Sequence, residues 1–210
     1  MLSSRTNNRI LEIIEQIEAG LEGDFKVIDD IALFNQEKVL RSFIDNKVAL
    51  RHFSQTTGYG YGDDGRDTLN SVYAEVFKSD SAIVSPHILS GTHAISLVLF
   101  GLLRPGDKLL SISGQPYDTL KDVISGKGTG SLADFGISYG EVPLLEGEFD
   151  KPAIEKSILA EKPKMVLIQR SRGYSMRNPL SCGQIRDICS FIKNLDERII
   201  IFIDNCYGEF

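Results

Sequence analysis

The chain has 210 residues, 42% of them hydrophobic and 25% charged, which is typical of a globular protein long enough to bury a core. Its formal net charge of -6 and its pI near 5.1 argue against a nucleic-acid-binding surface, because such a surface needs clustered lysine and arginine. A signal-peptide pattern and an apolar run of the ~18 to 20 residues that a membrane span needs are both lacking, so we expect a cytoplasmic protein without nucleic-acid or membrane partners.

The cysteines and histidines show no spacing typical of a metal site or of a disulfide framework. Cys182, Cys189 and Cys206 form no CxxC pair. We therefore expect reduced thiols and no bound metal.

The first fifty residues differ in pattern from the rest. Apolar residues recur at helical spacing in residues 10–17 and again in residues 31–44, which predicts two amphipathic helices. We predict that residues 1–50 form an N-terminal helical arm, which either packs on the same chain or extends to a second subunit. The glycine-rich segment TTGYGYGDDGRD follows, and Asp67 at its end is the predicted N-cap of a helix that runs to Phe77.

Apolar runs with strand character then alternate with helix-like segments. The strands are predicted at residues 82–85, 108–112, 137–142, 165–168 and 199–203, and the helices at 92–103, 118–125, 151–159 and 184–194. Strands that are apolar on both faces are typical of parallel sheets covered by helices, so residues 51–210 are predicted to be an α/β domain with a mainly parallel sheet. Ligands of such sheets bind at the carboxyl ends of the strands.

The segment SGTHAISLVLFGLL, residues 90–103, places small and hydroxyl residues directly before an apolar helix. The first N–H groups of a helix lack intrahelical partners and carry a partial positive charge, so a helix beginning near Gly91 or Thr92 can bind an anion. Gly91 lets the backbone approach closely, and the hydroxyl groups of Ser90 and Thr92 add donors. The alternative is an ordinary capped helix start without a ligand.

Two further polar residues follow predicted strands. Tyr117 lies in SGQPYDTL after one strand, and Asp204 directly follows the strand 199–203. Separately, Tyr117 could cover the edge of the core and Asp204 could cap a turn. Together with the start of the helix, they offer a phosphate cradle, an aromatic face and a fixed negative charge, which a phosphorylated pyridine ring requires.

SGTHAISLVLFGLLRPGD, GQPYDTL and FIDNCYGEF resemble the large domain of fold-type I pyridoxal 5'-phosphate (PLP) enzymes. With GYGYGDDGRDTL and IQRSRGYS, they resemble more closely the methionine gamma-lyase-like family, also labelled aluminium resistance proteins. The resemblance runs from about Gln55 to Phe210. It implies the PLP-dependent transferase fold, a PLP cofactor, a small amino-acid substrate and a homo-oligomer, either a dimer or a tetramer.

The resemblance also implies roles for individual residues. The turn at Ser90, Gly91 and Thr92, with His93, binds the cofactor phosphate; Tyr117 stacks on the ring; and Asp204 pairs with the ring nitrogen, so that Tyr117 and Asp204 are the implied catalytic residues. Tyr59 or Tyr61 is implied to contact the phosphate of the neighbouring subunit. Arg170 and Arg172 follow another strand. A guanidinium there either holds a carboxylate or phosphate or forms a salt bridge, and the first alternative would add Arg172 to the cofactor site. Asn178 is a poor match to the asparagine that contacts the ring hydroxyl in related branches, so that role stays unassigned.

One element of the family pattern is missing. Fold-type I enzymes hold PLP as a Schiff base on a lysine a few tens of residues after the aspartate, whereas this chain ends six residues after Asp204. The sheet is therefore expected to be truncated, and the chain to be the N-terminal half of a carbon–sulfur lyase acting on a sulfur amino acid, inactive alone.

Two other functions compete with this interpretation. The first is a non-catalytic binding or assembly subunit derived from such an enzyme. The second, nucleotide binding at residues 90–92, is weaker because the chain lacks a GxGxxG motif. The segment GKGTG, residues 126–130, also lacks the order of a phosphate-binding loop, and it follows a helix.

Overall fold

The structure is a computed structural model that describes residues 7–56 and 62–208. These residues form two compact units, one within Met1–Ser85 and the other within Pro86–Glu209. The first unit contains helix α1 (Asn8–Asp45), a short 3-10 helix (Leu50–Phe53) and helix α2 (Asp64–Phe77). The prediction that residues 1–50 are a separate arm stays a prediction.

Helix α1 is continuous, so the prediction of two helices in this part of the chain was wrong. No proline lies between Asn8 and Asp45, and Gly20 and Gly23 each cost only about 1 kcal/mol within a helix. Near its end, α1 packs on α2, where the buried Ser42 hydroxyl donates to the carbonyl oxygen of Val72 at 3.1 Å.

Two local predictions in the first unit need correction. The N-cap of α2 is Asp63, whose Oδ1 accepts a hydrogen bond from Arg66 N–H at 3.1 Å, and Asp67 lies inside the helix. Residues 82–85 form no strand within the described part of the chain. A side chain satisfies the backbone there instead of a neighbouring strand, because Val84 N–H donates to Asn70 Oδ1 at 2.7 Å.

The second unit is a parallel sheet with a helix before or between its strands, which confirms the predicted α/β fold. Its elements in chain order are α3 (Gly91–Leu102), β1 (Lys108–Ser111), α4 (Asp118–Ser125), β2 (Ser138–Glu141), α5 (Lys151–Glu161), β3 (Met165–Gln169), α6 (Cys182–Leu195) and β4 (Ile200–Asp204). The described strands lie in the order β2-β1-β3-β4, and each neighbouring pair is parallel.

The core has two layers, one on each face of this sheet. Successive residues of a strand point to opposite faces, so Val166 and Ile168 pack with α5 and α6, while Met165 and Leu167 pack with α3 and α4. All four of these side chains are buried. This burial on both sides explains why β3 is almost wholly apolar.

The strand register aligns the carboxyl ends of β3 and β4. Gln169, the last residue of β3, pairs with Asp204, the last residue of β4. These two side chains are polar and buried at the ends of apolar strands. No helix in the described residues combines the length and the apolar content that crossing a bilayer requires.

Candidate functional site

A cavity of about 610 Å³ opens at the carboxyl ends of β3 and β4. Its lining comes from the start of α3, the start of α4, the ends of both strands and the segments that follow them. Five of the predicted site residues line it: Ser90, Gly91, Thr92, Tyr117 and Asp204. The volume is in the range that small-molecule and cofactor sites occupy.

The start of α3 presents free N–H groups to this cavity. Ser90 is the N-cap, and its Oγ accepts a hydrogen bond from His93 N–H at 3.1 Å. The N–H groups of Gly91 and Thr92 donate to no protein acceptor among the described residues. A Cβ atom added at Gly91 would meet nothing within 4 Å, so this side of the turn is open. The arrangement suits an anion held by backbone N–H groups and by the helix dipole.

Tyr117 immediately precedes α4, and hydrogen bonds hold it at both ends. Its hydroxyl lies 3.1 Å from Thr92 Oγ1, which lies 3.2 Å from Thr119 Oγ1. Its backbone N–H donates to Gln169 Oε1 at 3.1 Å. The half-buried Tyr117 ring packs against the core layer of α3 and α4 and lines the cavity.

Gln169 is a cavity residue that the sequence interpretation missed. It is 8% exposed and connects β3 to Tyr117. The one available indication was a polar residue at the end of the buried run MVLIQ. A buried side-chain amide needs hydrogen-bond partners, so a glutamine at the end of a buried strand indicates a polar network there.

Asp204 places a carboxylate in the cavity beside apolar side chains. It is 8% exposed, and its Oδ1 accepts a hydrogen bond from Cys206 N–H at 3.1 Å. Ile95, Val98 and Phe202 form part of the apolar lining. A buried negative charge in such surroundings favours a cationic or N–H-bearing ligand group.

Two further residues that the sequence analysis considered do not line this cavity. His93 does not line the cavity, and its Nδ1 accepts a hydrogen bond from Leu89 N–H at 3.3 Å. Asn178 does not line it either; its carbonyl oxygen accepts from the Arg177 guanidinium at 2.9 Å. Tyr59 and Tyr61 lie outside the described residues.

The structure separates the roles of the two arginines that follow β3. Arg170 holds local structure, because its guanidinium donates to Leu180 O at 3.2 Å, Asn205 Oδ1 at 2.7 Å and Gly208 O at 3.1 Å. Arg172 is exposed. Both arginines line a second cavity of about 490 Å³ that adjoins the first, and neither of them lines the first.

The backbone of the segment GKGTG already binds a carboxylate of this chain. The carboxylate of Asp134 accepts hydrogen bonds from the backbone N–H groups of four consecutive residues, 128–131. These donors, Gly128 foremost, lower the pKa of Asp134 below its ordinary value. The N–H groups that a phosphate would need in this loop are therefore already taken.

The lining of the first cavity, as far as the structure describes it, contains no lysine and no arginine. Among the described residues, no group of three or more histidine, cysteine, aspartate or glutamate side chains is arranged to hold a metal ion. An anion in the cavity would therefore be held mainly by N–H and O–H donors at the start of α3.

The sequence pattern of the methionine gamma-lyase family matches residues 10–210. The chain belongs to the methionine gamma-lyase family. The uncharacterized protein YnbB of Bacillus subtilis (strain 168) is 45% identical over 215 residues, which cover 100% of this chain and 51% of YnbB. This member of the methionine gamma-lyase family thus spans about half the length of that curated relative.

Solved structures agree with the family assignment. A Listeria innocua protein, described as a candidate cystathionine beta-lyase involved in aluminum resistance, is 52% identical with a TM-score of 0.91, covering 95% of this chain and 50% of that one. A Clostridium novyi NT protein, described as a carbon-sulfur lyase involved in aluminum resistance, is 44% identical with a TM-score of 0.90, covering 97% of this chain and 49% of that one.

Proposed function

We propose that this chain forms the cofactor-binding part of a PLP-dependent lyase that cleaves a carbon–sulfur bond of an amino acid. The observation that carries the proposal is a single cavity that combines an open helix N-terminus, a tyrosine and a buried carboxylate. The family assignment and the carbon-sulfur lyase from Clostridium novyi NT support the reaction class.

The phosphate of PLP is assigned to the start of α3. The N–H groups of Gly91 and Thr92, without protein acceptors in the described chain, would donate to its oxygens, and the hydroxyls of Ser90 and Thr92 lie beside them. The positive end of the helix dipole would favour the dianion. The fit is good because the N–H groups of Gly91 and Thr92 have no protein acceptor among the described residues and both residues line the cavity.

The pyridine ring is assigned to the space between Tyr117 and Asp204. Tyr117 would offer its aromatic face, and the Asp204 carboxylate would accept a hydrogen bond from the ring nitrogen and keep it protonated. When bound, PLP supplies an electron sink for the carbanion formed at the substrate's alpha carbon. The Asp204 charge would strengthen that sink, while the apolar wall near Phe202 would exclude water.

The lysine that binds PLP covalently is proposed to come from outside these 210 residues, since none lines the described cavity. We further propose a cytoplasmic homo-oligomer, a dimer or a tetramer, in which Tyr59 or Tyr61 contacts the phosphate bound by a neighbouring subunit. The choice of a sulfur amino acid as substrate rests on the relatives alone.

A comparison of PLP with pyridoxal, which lacks the phosphate, tests the assignment. In Gly91→Val, the larger side chain has room in the protein but stands beside the free N–H groups. We expect the Kd for PLP to rise about tenfold or more and the much weaker affinity for pyridoxal to stay unchanged. Absorbance titration measures both.

Gly101→Val is the matched control, because Gly101 lies near the other end of α3 and an added Cβ there also meets nothing within 4 Å. It should bind PLP like the wild type. Equal PLP affinity in all three proteins would exclude the start of α3 as the phosphate site.

A further inference from the structure

We propose that Gln169 is a positioning residue: by holding the backbone of Tyr117, it fixes the aromatic face that Tyr117 presents to the cavity. The proposal rests on the proposed function, in which that face receives the PLP ring. No catalytic role is assigned to Gln169 itself.

Every polar group of Gln169 has a partner. Its backbone N–H donates to Ser113 Oγ at 2.8 Å, and its carbonyl oxygen accepts from the Arg177 guanidinium at 3.0 Å. In the side chain, Nε2 donates to Ser171 O at 3.2 Å and Oε1 accepts from Tyr117 N–H at 3.1 Å. Only one orientation of the amide satisfies both side-chain contacts, because a flip would place a donor against the Tyr117 N–H.

The surrounding turn leaves space for this amide. Gly173 has a φ of +56°, and a Cβ atom added there would lie 3.4 Å from Gln169 Nε2. The positive φ therefore favours glycine at this position, and the Gly173 backbone lies close to the amide. Its four partners lie on two segments, the connection from β1 to α4 and the connection from β3 to α6, so Gln169 is a rigid point from which a second residue can be placed.

Tyr117 needs such a point because its own side chain does not cap α4. The connection from β1 is fixed at Gly114, whose N–H donates to Val142 O at 3.2 Å and whose carbonyl oxygen accepts from Ser111 Oγ at 2.6 Å, but neither of these hydrogen bonds reaches Tyr117. Gln169 holds the backbone N–H of Tyr117, and Thr92 meets the hydroxyl at the far end of the ring. The ring is thus held from the strand end on one side and from the start of α3 on the other.

Loss of the Gln169 side-chain oxygen as an acceptor should therefore loosen the backbone of Tyr117. Gln169→Leu keeps a similar volume and removes both amide contacts, whereas Gln169→Glu keeps an oxygen that can accept from Tyr117 N–H. Amide hydrogen exchange of Tyr117, measured on the 210-residue chain without PLP, should accelerate about fivefold or more in Gln169→Leu. In Gln169→Glu it should stay near the wild-type rate.

A double-mutant cycle then tests whether Gln169 acts through Tyr117. Gln169→Leu should raise the Kd for PLP about tenfold when Tyr117 is present and change it little in a Tyr117→Ala background. Gln169→Glu is left out of this cycle, because the glutamate charge would lie beside Asp204, which pairs with residue 169 in the strand register. Melting curves of each variant show whether it folds, and Gln169→Asn, which cannot span the same distance, replaces Gln169→Leu if that protein unfolds.

The outcomes separate this proposal from the proposed function. Unchanged Tyr117 exchange in Gln169→Leu would overturn the positioning role whether or not PLP binds. An equal loss of PLP affinity with and without the Tyr117 ring would overturn it too, since Gln169 would then act on PLP directly. If neither the wild type nor any variant binds PLP, the proposed function fails. The exchange rates alone then decide whether Gln169 holds Tyr117.

Discussion

Replacing Asp204 with asparagine isolates the negative charge that we assign to the partner of the PLP ring nitrogen. Asp204 is buried, and its Oδ1 accepts a hydrogen bond from Cys206 N–H at 3.1 Å. Asparagine keeps an oxygen that can take this hydrogen bond and nearly the same volume, but it carries no charge. Asp204→Asn should therefore fold like the wild type and bind PLP more weakly.

The expected loss follows from the kind of hydrogen bond that is removed. A hydrogen bond to a charged group contributes about 1.5 to 3 kcal/mol, which corresponds to an about 10- to 150-fold higher Kd. Asp204 is only 8% exposed, so water screens its charge little and the upper part of this range applies. Absorbance titration of the 210-residue chain with PLP gives the Kd, and thermal melting verifies that both proteins are folded.

Asp150→Asn is the matched control for this substitution. Asp150 also accepts a backbone hydrogen bond, from Ala153 N–H at 3.0 Å, but it caps α5 and does not line the cavity. Its PLP affinity should equal that of the wild type. A Kd for the folded Asp204→Asn within about twofold of the control would refute the assignment of Asp204 to the ring nitrogen.

Three further predictions concern the scaffold. Asp134→Ala should lower the free energy of unfolding at neutral pH. Because folding lowers the pKa of Asp134, the difference in unfolding free energy between wild type and variant should shrink as the pH falls through that lowered pKa. Denaturant titrations at several pH values measure this difference. Ile154→Ala should cost about 2–5 kcal/mol in the same titrations, since Ile154 is fully buried between α5 and the sheet. Arg170→Ala removes hydrogen bonds to Asn205 and Gly208, so limited proteolysis should cleave the segment after β4 faster than in Arg172→Ala.

The sheet and its covering helices could be predicted because burial on both faces leaves a clear pattern in the sequence. The runs at 108–112, 165–168 and 199–203 match β1, β3 and β4 closely, and α3 begins one residue before its predicted start. Residues 82–85 are similarly apolar, yet the backbone N–H of Val84 donates to the side-chain oxygen of Asn70 instead of to a neighbouring strand. Composition shows that a segment is apolar but not which partner its N–H groups find.

The candidate site was only partly predictable for the same reason. The helix start at Gly91 and the strand end at Asp204 have local sequence patterns, and the cavity contains both. The hydrogen bond between Gln169 and Tyr117 joins residues 52 positions apart, so no local pattern predicts it. The difference between Arg170 and Arg172 likewise depends on acceptors from distant segments.

The most direct test of the central claim is an amide NMR titration of the 210-residue chain with PLP, because it reports binding and its location together. Our account predicts saturable shifts that are largest at Gly91 and Thr92, with a second group at Tyr117 and Asp204. The absence of saturable shifts would contradict it. Shifts centred on another part of the chain, such as residues 128–131 around Asp134, would contradict it equally.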